Sequence, residues 1–278
     1  FEEAKKNKNI ILMTGDLGYG VLDRFQKELP QQFVNSGVNE QALMGMAAGM
    51  ASTGKRVFVY SIGNFPTLRC LEQIRNDVCY GDLDVTIVSV GAGFSYGVSM
   101  AHDFIKAGTS KTVLVIGAEK ISDFTDPDDR ATAFIFADGA GAVVIGASQE
   151  AGIGPVEWGS DADERDAIQM NPSWIEVRDV ETQLTKAGSK WPNISQEGQK
   201  VFRWAVFSMS KAALKALESA GLSVNDLDAF IPHQANVRII ETMAKEMKMP
   251  DSVIIADDIR KNGNTSAASI PLAMDALL

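Results

Sequence analysis

The first ninety residues contain blocks of apolar residues separated by polar ones, and these blocks predict strands and helices in turn. Short β-branched or apolar runs predict buried strands at residues 9–14, 55–63 and 85–90. The small apolar segment 41–54 and the amphipathic segment 67–81 predict helices between them. Strands that alternate with helices indicate βαβ units and a largely parallel sheet.

The alternation resumes further along the chain. Residues 98–108 predict a helix, residues 111–120 a strand, and residues 132–148 a strand, a glycine turn and a second strand. The polar segment Gly152 to Ser195 predicts a long surface excursion. Beyond it the pattern predicts a long helix that ends at Gly221. A strand followed by a helix is predicted over residues 227–247, and a loop followed by a last helix over residues 262–278.

Composition and charge exclude several classes of protein. The 278 residues, 45% of them hydrophobic and 22% charged, are typical of a globular protein with a substantial core. A net charge of −10 argues against a nucleic-acid or anionic-membrane surface, and no apolar run is long enough to span a bilayer. The charged start is unlike a signal peptide, and the two cysteines, Cys70 and Cys79, fit a reducing cytoplasm. The start at Phe1 and the stop within an apparent helix indicate a fragment.

Two polar residues in the second half are candidates for catalysis. His233 lies in "FIPHQANVRII", where a strand ends and a helix begins, so its imidazole is a candidate acid, base or hydrogen-bond donor to an oxyanion. The alternative is a helix-capping or solvent-facing histidine. Asn264 lies in the glycine-flanked loop "KNGNTSAAS", where its amide could donate to a developing negative charge, although asparagine is also typical of a helix N-cap.

From about residue 92 onward the chain resembles beta-ketoacyl-acyl-carrier-protein synthase III, of the thiolase superfamily. The resemblance is carried by five stretches, "AGFSYGVSMAHDFIKAG", "DPDDRATAFIFADGAGAVV", "EGQKVFRWAV", "PHQANVRII" and "GNTSAAS". It implies an α/β fold with thiolase-like αβαβα layers and a homodimer. It also implies a decarboxylating condensation of acyl-CoA with malonyl-carrier protein, in fatty-acid or polyketide-like biosynthesis, with no cofactor.

The resemblance also implies roles for individual residues. His233 and Asn264 would stabilise the enolate-like charge that forms as CO2 leaves the malonyl thioester. Five residues would bind substrate or CoA. Asn236 would border the pantetheine path, Arg130 would pack on the CoA adenine or form a surface salt bridge, Gly198 and Phe202 would line the tunnel, and Arg238 would face the acidic carrier protein. The glycines of "DGAGA" (138–142) are explained by tight packing rather than by a phosphate loop.

The family's nucleophilic cysteine precedes Ala-Gly-Phe at the start of a helix, where the helix N-terminus lowers the thiol pKa. This chain has "GAGF", so Gly91 occupies the nucleophile position. Cys79 lies twelve residues earlier and no shift of register brings it to that position. Condensation through a covalent acyl-enzyme is therefore not expected.

Residues 1 to about 91 resemble a different family, the pyrimidine-binding domain of transketolase-like, thiamine-diphosphate-dependent enzymes. The matching pieces are "MTGDLGYGVLDRF", "FVNSGVNEQALMGMAAGMASTGKRVFVYSI" and "FPTLRCLEQIRNDVCY". The resemblance implies that Glu40 contacts the aminopyrimidine ring of thiamine diphosphate, which binds with Mg2+. The alternative is a helix N-terminal charge that offsets the dipole.

These observations leave three hypotheses. The chain is a synthase III-type acyltransferase, a thiamine-diphosphate transketolase-type subunit, or a hybrid of two fragments without a complete active site. The expected domains are a transketolase-like segment at 1–91, the end of the first thiolase-like half at 92–152, and a truncated second half at 153–278. The synthase interpretation implies acyl-CoA and acyl carrier protein as partners, no metal, and a cytoplasmic location.

Overall fold

The computed structural model divides the chain into two compact units, which are Phe1–Val115 with Val144–Ala147, and Ile116–Val143 with Ser148–Leu278. It describes residues 1–18, 21–62, 65–66, 68–90, 93–108, 110–150, 152–173 and 192–278. None of the described helices is long and apolar enough to cross a membrane.

The first unit contains a four-stranded parallel sheet. Its strands are β1 (Ile10–Thr14), β2 (Phe33–Asn35), β3 (Arg56–Ile62) and β4 (Val85–Val90), in the spatial order β2-β1-β3-β4. Every neighbouring pair is parallel, as the alternation of strand and helix predicts. β2 was not predicted, because its three residues are too few to produce a recognisable apolar run.

The helices of this unit are α1 (Glu2–Lys6), α2 (Asp23–Glu28), α3 (Glu40–Ser52), α4 (Leu71–Gln73) and α5 (Phe94–Lys106). The predicted helix at 67–81 is only partly α-helical. A 3-10 turn (Leu68–Cys70) precedes α4, and a π-helical stretch (Ile74–Cys79) follows it. Apolar spacing cannot distinguish these helix types, since all of them bury one face of the segment.

The core of the first unit lies between α3 and the sheet. Leu43, Met44 and Ala47 of α3 pack with Met13 of β1 and Val59 of β3. Small residues dominate α3, and all of its alanines but Ala42 are buried. This composition lets the helix backbone approach the strands closely, so the sequence "ALMGMAAGMA" reflects packing.

β5 (Thr112–Glu119) and β6 (Gly139–Gly146) form a two-stranded sheet, and each strand contributes residues to both units. The strand predicted from residue 132 is wrong, because residues 130–135 form turns and only Phe136 makes an isolated bridge. Asp129 causes this difference. Its carboxylate accepts the Thr132 hydroxyl at 2.6 Å and the Ala131 N–H at 2.9 Å, and these local bonds compete with strand pairing.

The rest of the second unit contains two small sheets and a series of helices. β7 (Ile168–Asn171) pairs antiparallel with β8 (Asn193–Gln196), so the predicted surface excursion includes regular structure. β9 (Ala229–Phe230) pairs parallel with β10 (Ile254–Ile255). The helices are α6 (Gly198–Trp204), a π-helical stretch (Ala205–Met209), α7 (Ser210–Ser219), α8 (Val237–Glu246), α9 (Ile259–Asn262) and α10 (Ser269–Asp275).

Candidate functional site

His233 lies three residues after β9, in the segment that leads into α8. The N-cap of α8 is Asn236, whose side chain accepts the Arg238 N–H at 2.8 Å. The capping alternative for His233 is therefore wrong, because another side chain performs that task. The position of the imidazole is set instead by Ser269, the first residue of α10.

The Nδ1 atom of His233 lies 2.6 Å from the Ser269 hydroxyl oxygen. Ser269 is buried at the first residue of α10, whereas His233 keeps an exposed surface. Protein packed around the ring lowers the pKa of His233 from its ordinary value by desolvation. The imidazole is thus favoured in its neutral form, in which one ring nitrogen donates a hydrogen bond and the other accepts one.

Asn264 is buried, and its backbone is fixed on both sides. Its N–H donates to the Ile135 carbonyl at 2.9 Å, and its own carbonyl accepts the Ala137 N–H at 2.9 Å. Its side-chain oxygen accepts the Ser266 N–H at 2.9 Å, which fixes the orientation of the amide. The amide nitrogen therefore faces the other way, toward the Ala235 carbonyl at 3.4 Å.

Three hydrogen bonds join the segment 233–236 to the segment 264–269. They run from His233 to Ser269, from the Gln234 N–H to Ser269 at 3.2 Å, and from Asn264 to Ala235. The structure thus brings the two predicted catalytic residues into one loop cluster. A neutral imidazole and a fixed amide group are both suited to donate to a developing oxyanion.

The glycines of "DGAGA" allow this loop cluster to approach β6. A Cβ atom at Gly139 would lie 2.8 Å from Thr265, and one at Gly141 would lie 3.0 Å from Pro271. The packing explanation of these glycines is confirmed. The close approach holds the loop that carries Asn264 against the strand.

The other predicted binding residues are spread over the second unit. Asn236 caps α8, and Arg238 in its first turn is exposed. Phe202 packs against the core cluster around Val206, while Gly198 is exposed at the first residue of α6. Arg130 is exposed in a turn, and within the described residues no ion pair involves it. Their roles toward substrate stay predictions, and Gly91 lies outside the described residues.

Glu40 is buried in the first unit, at the first residue of α3. Its carboxylate accepts a hydrogen bond from the Arg69 guanidinium at 3.1 Å. Arg69 also stacks on the Phe65 ring, 4.1 Å from its centroid. The carboxylate is thus paired with a neighbouring cation, and its role toward an aminopyrimidine ring stays a prediction.

Both cysteines have environments that disfavour the thiolate. Burial raises the pKa of the Cys70 thiol, and the negative charge of Glu40 raises it further. Burial also raises the pKa of Cys79. Neither is an activated nucleophile. Across the described part of the chain, no group of three or more His, Cys, Asp or Glu residues could hold a metal ion.

Solved structures place the fold in a class. The priming beta-ketosynthase of the R1128 polyketide biosynthetic pathway matches with a TM-score of 0.65 and 34% identity, over 86% of this chain and 73% of that one. Synthase III from Thermus thermophilus matches with a TM-score of 0.58 and 25% identity, over 98% of this chain and 71% of that one. The fold is therefore a thiolase-like α/β fold.

Sequence comparisons identify the family. The model of 3-oxoacyl-[acyl-carrier-protein] synthase III matches residues 84–162, and its C-terminal model matches residues 217–278. Synthase III 1 of Streptomyces coelicolor is 57% identical over 196 residues, and that of Streptomyces glaucescens is 54% identical over 192 residues. In both cases 69% of this chain is covered, but only 57% and 56% of the relatives. Over residues 84–162 and 217–278 the chain belongs to the 3-oxoacyl-[acyl-carrier-protein] synthase III family.

A second family model matches the other end of the chain. The transketolase pyrimidine-binding domain matches residues 1–102, so residues 84–102 are matched by both families. The expected boundary near residue 91 falls within this shared stretch and stays a prediction. The sequence "GAGFSYGVSMAH" is thus compatible with either family.

Three functional candidates were missed by sequence reasoning. Ser269 and Gln234 lie in the two synthase motifs without a predicted role, although Ser269 bonds the His233 ring and accepts the Gln234 N–H. Gln234 is fully buried, and its side chain bonds the Pro232 carbonyl and the Ile259 N–H. Arg69 gave no signal, since its partner Glu40 is 29 residues away.

Proposed function

We propose that this chain is an acyltransferase-family polypeptide of the synthase III type that stabilises the enolate of a malonyl thioester but does not form an acyl-enzyme. The observation that carries the proposal is the loop cluster that holds His233 and Asn264 together. Identity above 50% to two Streptomyces synthases supports the substrate class, which is CoA and acyl-carrier-protein thioesters. This chemistry requires no cofactor.

The proposed reaction is decarboxylation. The bond between the α-carbon and the carboxylate of the malonyl group breaks, and CO2 leaves. The electron pair of that bond stays with the α-carbon and forms an enolate with the thioester carbonyl. The His233 imidazole and the Asn264 amide donate to that oxygen. A proton from water then gives the acetyl thioester. Condensation would need an acyl group on a cysteine, and residue 91 is glycine.

The test of decarboxylation measures acetyl-CoA formed from malonyl-CoA. Removing one donor to an oxyanion lowers kcat by about 10²–10³-fold, so His233→Ala and Asn264→Ala should each lose most of the activity. His102→Ala is the matched control, because His102 is the other histidine and lies in α5. Absence of decarboxylation by the parent protein would refute the proposed function.

The test of the missing nucleophile uses intact mass spectrometry after incubation with acetyl-CoA. The parent should acquire no acetyl group, and Gly91→Cys should acquire one. A covalent adduct on the parent protein would contradict the assignment of Gly91 to the nucleophile position. We further propose that the protein is a homodimer and that it is cytoplasmic. Light scattering after gel filtration would test the oligomeric state.

The second candidate function is that of a thiamine-diphosphate-dependent subunit, and the match of residues 1–102 favours it. The ion pair of Glu40 with Arg69 opposes it. Isothermal titration with thiamine diphosphate and Mg2+ should therefore give no heat of binding. Binding that Glu40→Ala abolishes would favour this candidate over the synthase.

The third candidate is a non-catalytic hybrid, supported by the two family models that meet at residues 84–102. We propose that the chain is divided at residues 91 and 152, giving segments 1–91, 92–152 and 153–278. The contiguous DNA across codons 85 to 100 tests the first boundary. A single uninterrupted reading frame would support a hybrid gene product.

A further inference from the structure

The Ser269 hydroxyl lies between two groups of the neighbouring loop. Its oxygen is 3.2 Å from the Gln234 backbone nitrogen and 2.6 Å from His233 Nδ1. A backbone N–H can only donate, so the hydroxyl oxygen is the acceptor of the first bond. Ser269 is 1% exposed, and water therefore has little access to it.

The remaining bond determines the tautomer of His233. The hydroxyl has one hydrogen, and among the described residues the only other group bonded to its oxygen is His233 Nδ1. A buried hydroxyl hydrogen needs an acceptor, and the lone pair on His233 Nδ1 is in position to accept the Ser269 hydroxyl. With Nδ1 accepting, the hydrogen of the neutral ring is on Nε2.

We infer that Ser269 is a positioning residue that keeps His233 in the Nε2–H tautomer and so makes the imidazole a hydrogen-bond donor toward the thioester oxygen. This inference rests on the proposed function only for the identity of that oxygen. The other tautomer would place a lone pair on Nε2, and a lone pair repels a developing negative charge. Ser269 thus acts through His233 and does not touch the substrate.

The direct test is nuclear magnetic resonance of protein labelled with 15N-histidine. The chain has two histidines, so His102 is an internal reference for the assignment. At pH 7.5 the parent should show an unprotonated Nδ1 and a protonated Nε2 for His233. A proton on Nδ1 of His233 would overturn the inference, and this measurement needs no variant.

Variants then test whether Ser269 causes the preference. Ser269→Ala should produce a mixture of tautomers at His233, leave His102 unchanged, and lower kcat about tenfold with little change in KM. Ser269→Thr keeps the hydroxyl and should restore both readouts. An unchanged His233 spectrum in a folded Ser269→Ala protein would also overturn the inference.

The two proposals fail in different ways. If the parent does not decarboxylate malonyl-CoA, the proposed function is refuted while the tautomer can still be read. If His233→Ala abolishes decarboxylation but the parent carries its proton on Nδ1, the proposed function stands and the role of Ser269 is refuted.

Discussion

At Gly117 in β5 the segment that follows Asn264 lies close to the strand backbone. A Cβ atom at this position would lie 2.1 Å from the Ala267 carbonyl oxygen and 2.7 Å from its carbon. Ordinary non-bonded contacts have separations of about 3.5 Å, so Gly117→Ala requires a displacement of about 1.4 Å. Both groups are backbone, so no flexible side chain can absorb it.

Adding a methyl group to a packed region destabilises the folded state, and here we expect the upper part of the usual range, about 2–3 kcal/mol. Replacing glycine by alanine also restricts the unfolded chain, which offsets about 0.4–1 kcal/mol. The free energy of unfolding should therefore fall by about 1–2.6 kcal/mol. Decarboxylation should fall with it, because Ala267 lies between Asn264 and Ser269.

Urea unfolding followed by tryptophan fluorescence measures this change. The signal reports on the second unit, since all of the tryptophans belong to its chain range, namely Trp158, Trp174, Trp191 and Trp204. Gly159→Ala is the control, because among the described residues no atom beyond its two chain neighbours lies within 4 Å of its Cβ position. We expect a change of at most about 0.5 kcal/mol. A Gly117→Ala protein as stable as this control would refute the close approach.

Three further predictions concern charged and titratable groups. Arg69→Gln leaves the buried Glu40 carboxylate without its cation and should destabilise the first unit by about 1–3 kcal/mol, and adding Glu40→Gln should recover part of the loss in far-ultraviolet circular dichroism melts. Because burial raises the pKa of the Cys70 and Cys79 thiols, iodoacetamide should alkylate both more slowly at pH 7.5 in the folded protein than in urea, and equal rates would contradict their burial. Folding lowers the pKa of His233, so as the pH falls the unfolded chain takes up this proton at a higher pH than the folded chain does. The free energy of unfolding should therefore decrease as the pH drops below about 6.5. His233→Gln should weaken that dependence in unfolding curves at pH 5 and 7.5.

The limits of sequence reasoning are clear from particular elements. Apolar periodicity correctly predicted β1, β3, β4 and α3. In β1, β3 and α3 the apolar residues of the element itself create the buried face. It wrongly predicted a strand from residue 132, where hydrogen bonds to the Asp129 carboxylate stabilise a turn although the apolar residues there favour a strand. It could not separate an α-helix from the π-helical stretch within residues 74–79.

The candidate site divides in the same way. The residue types alone identified His233 and Asn264 as candidates, and the proposed loss of the nucleophile rests on the glycine at residue 91. The bonds of His233 to Ser269, 36 residues away, and of Glu40 to Arg69, 29 residues away, were not visible. Periodicity and motif spacing are local properties of a chain. Hydrogen bonds and ion pairs between distant segments depend on how those segments pack, so only the tertiary structure decided the environment of His233 and the pairing of Glu40 with Arg69.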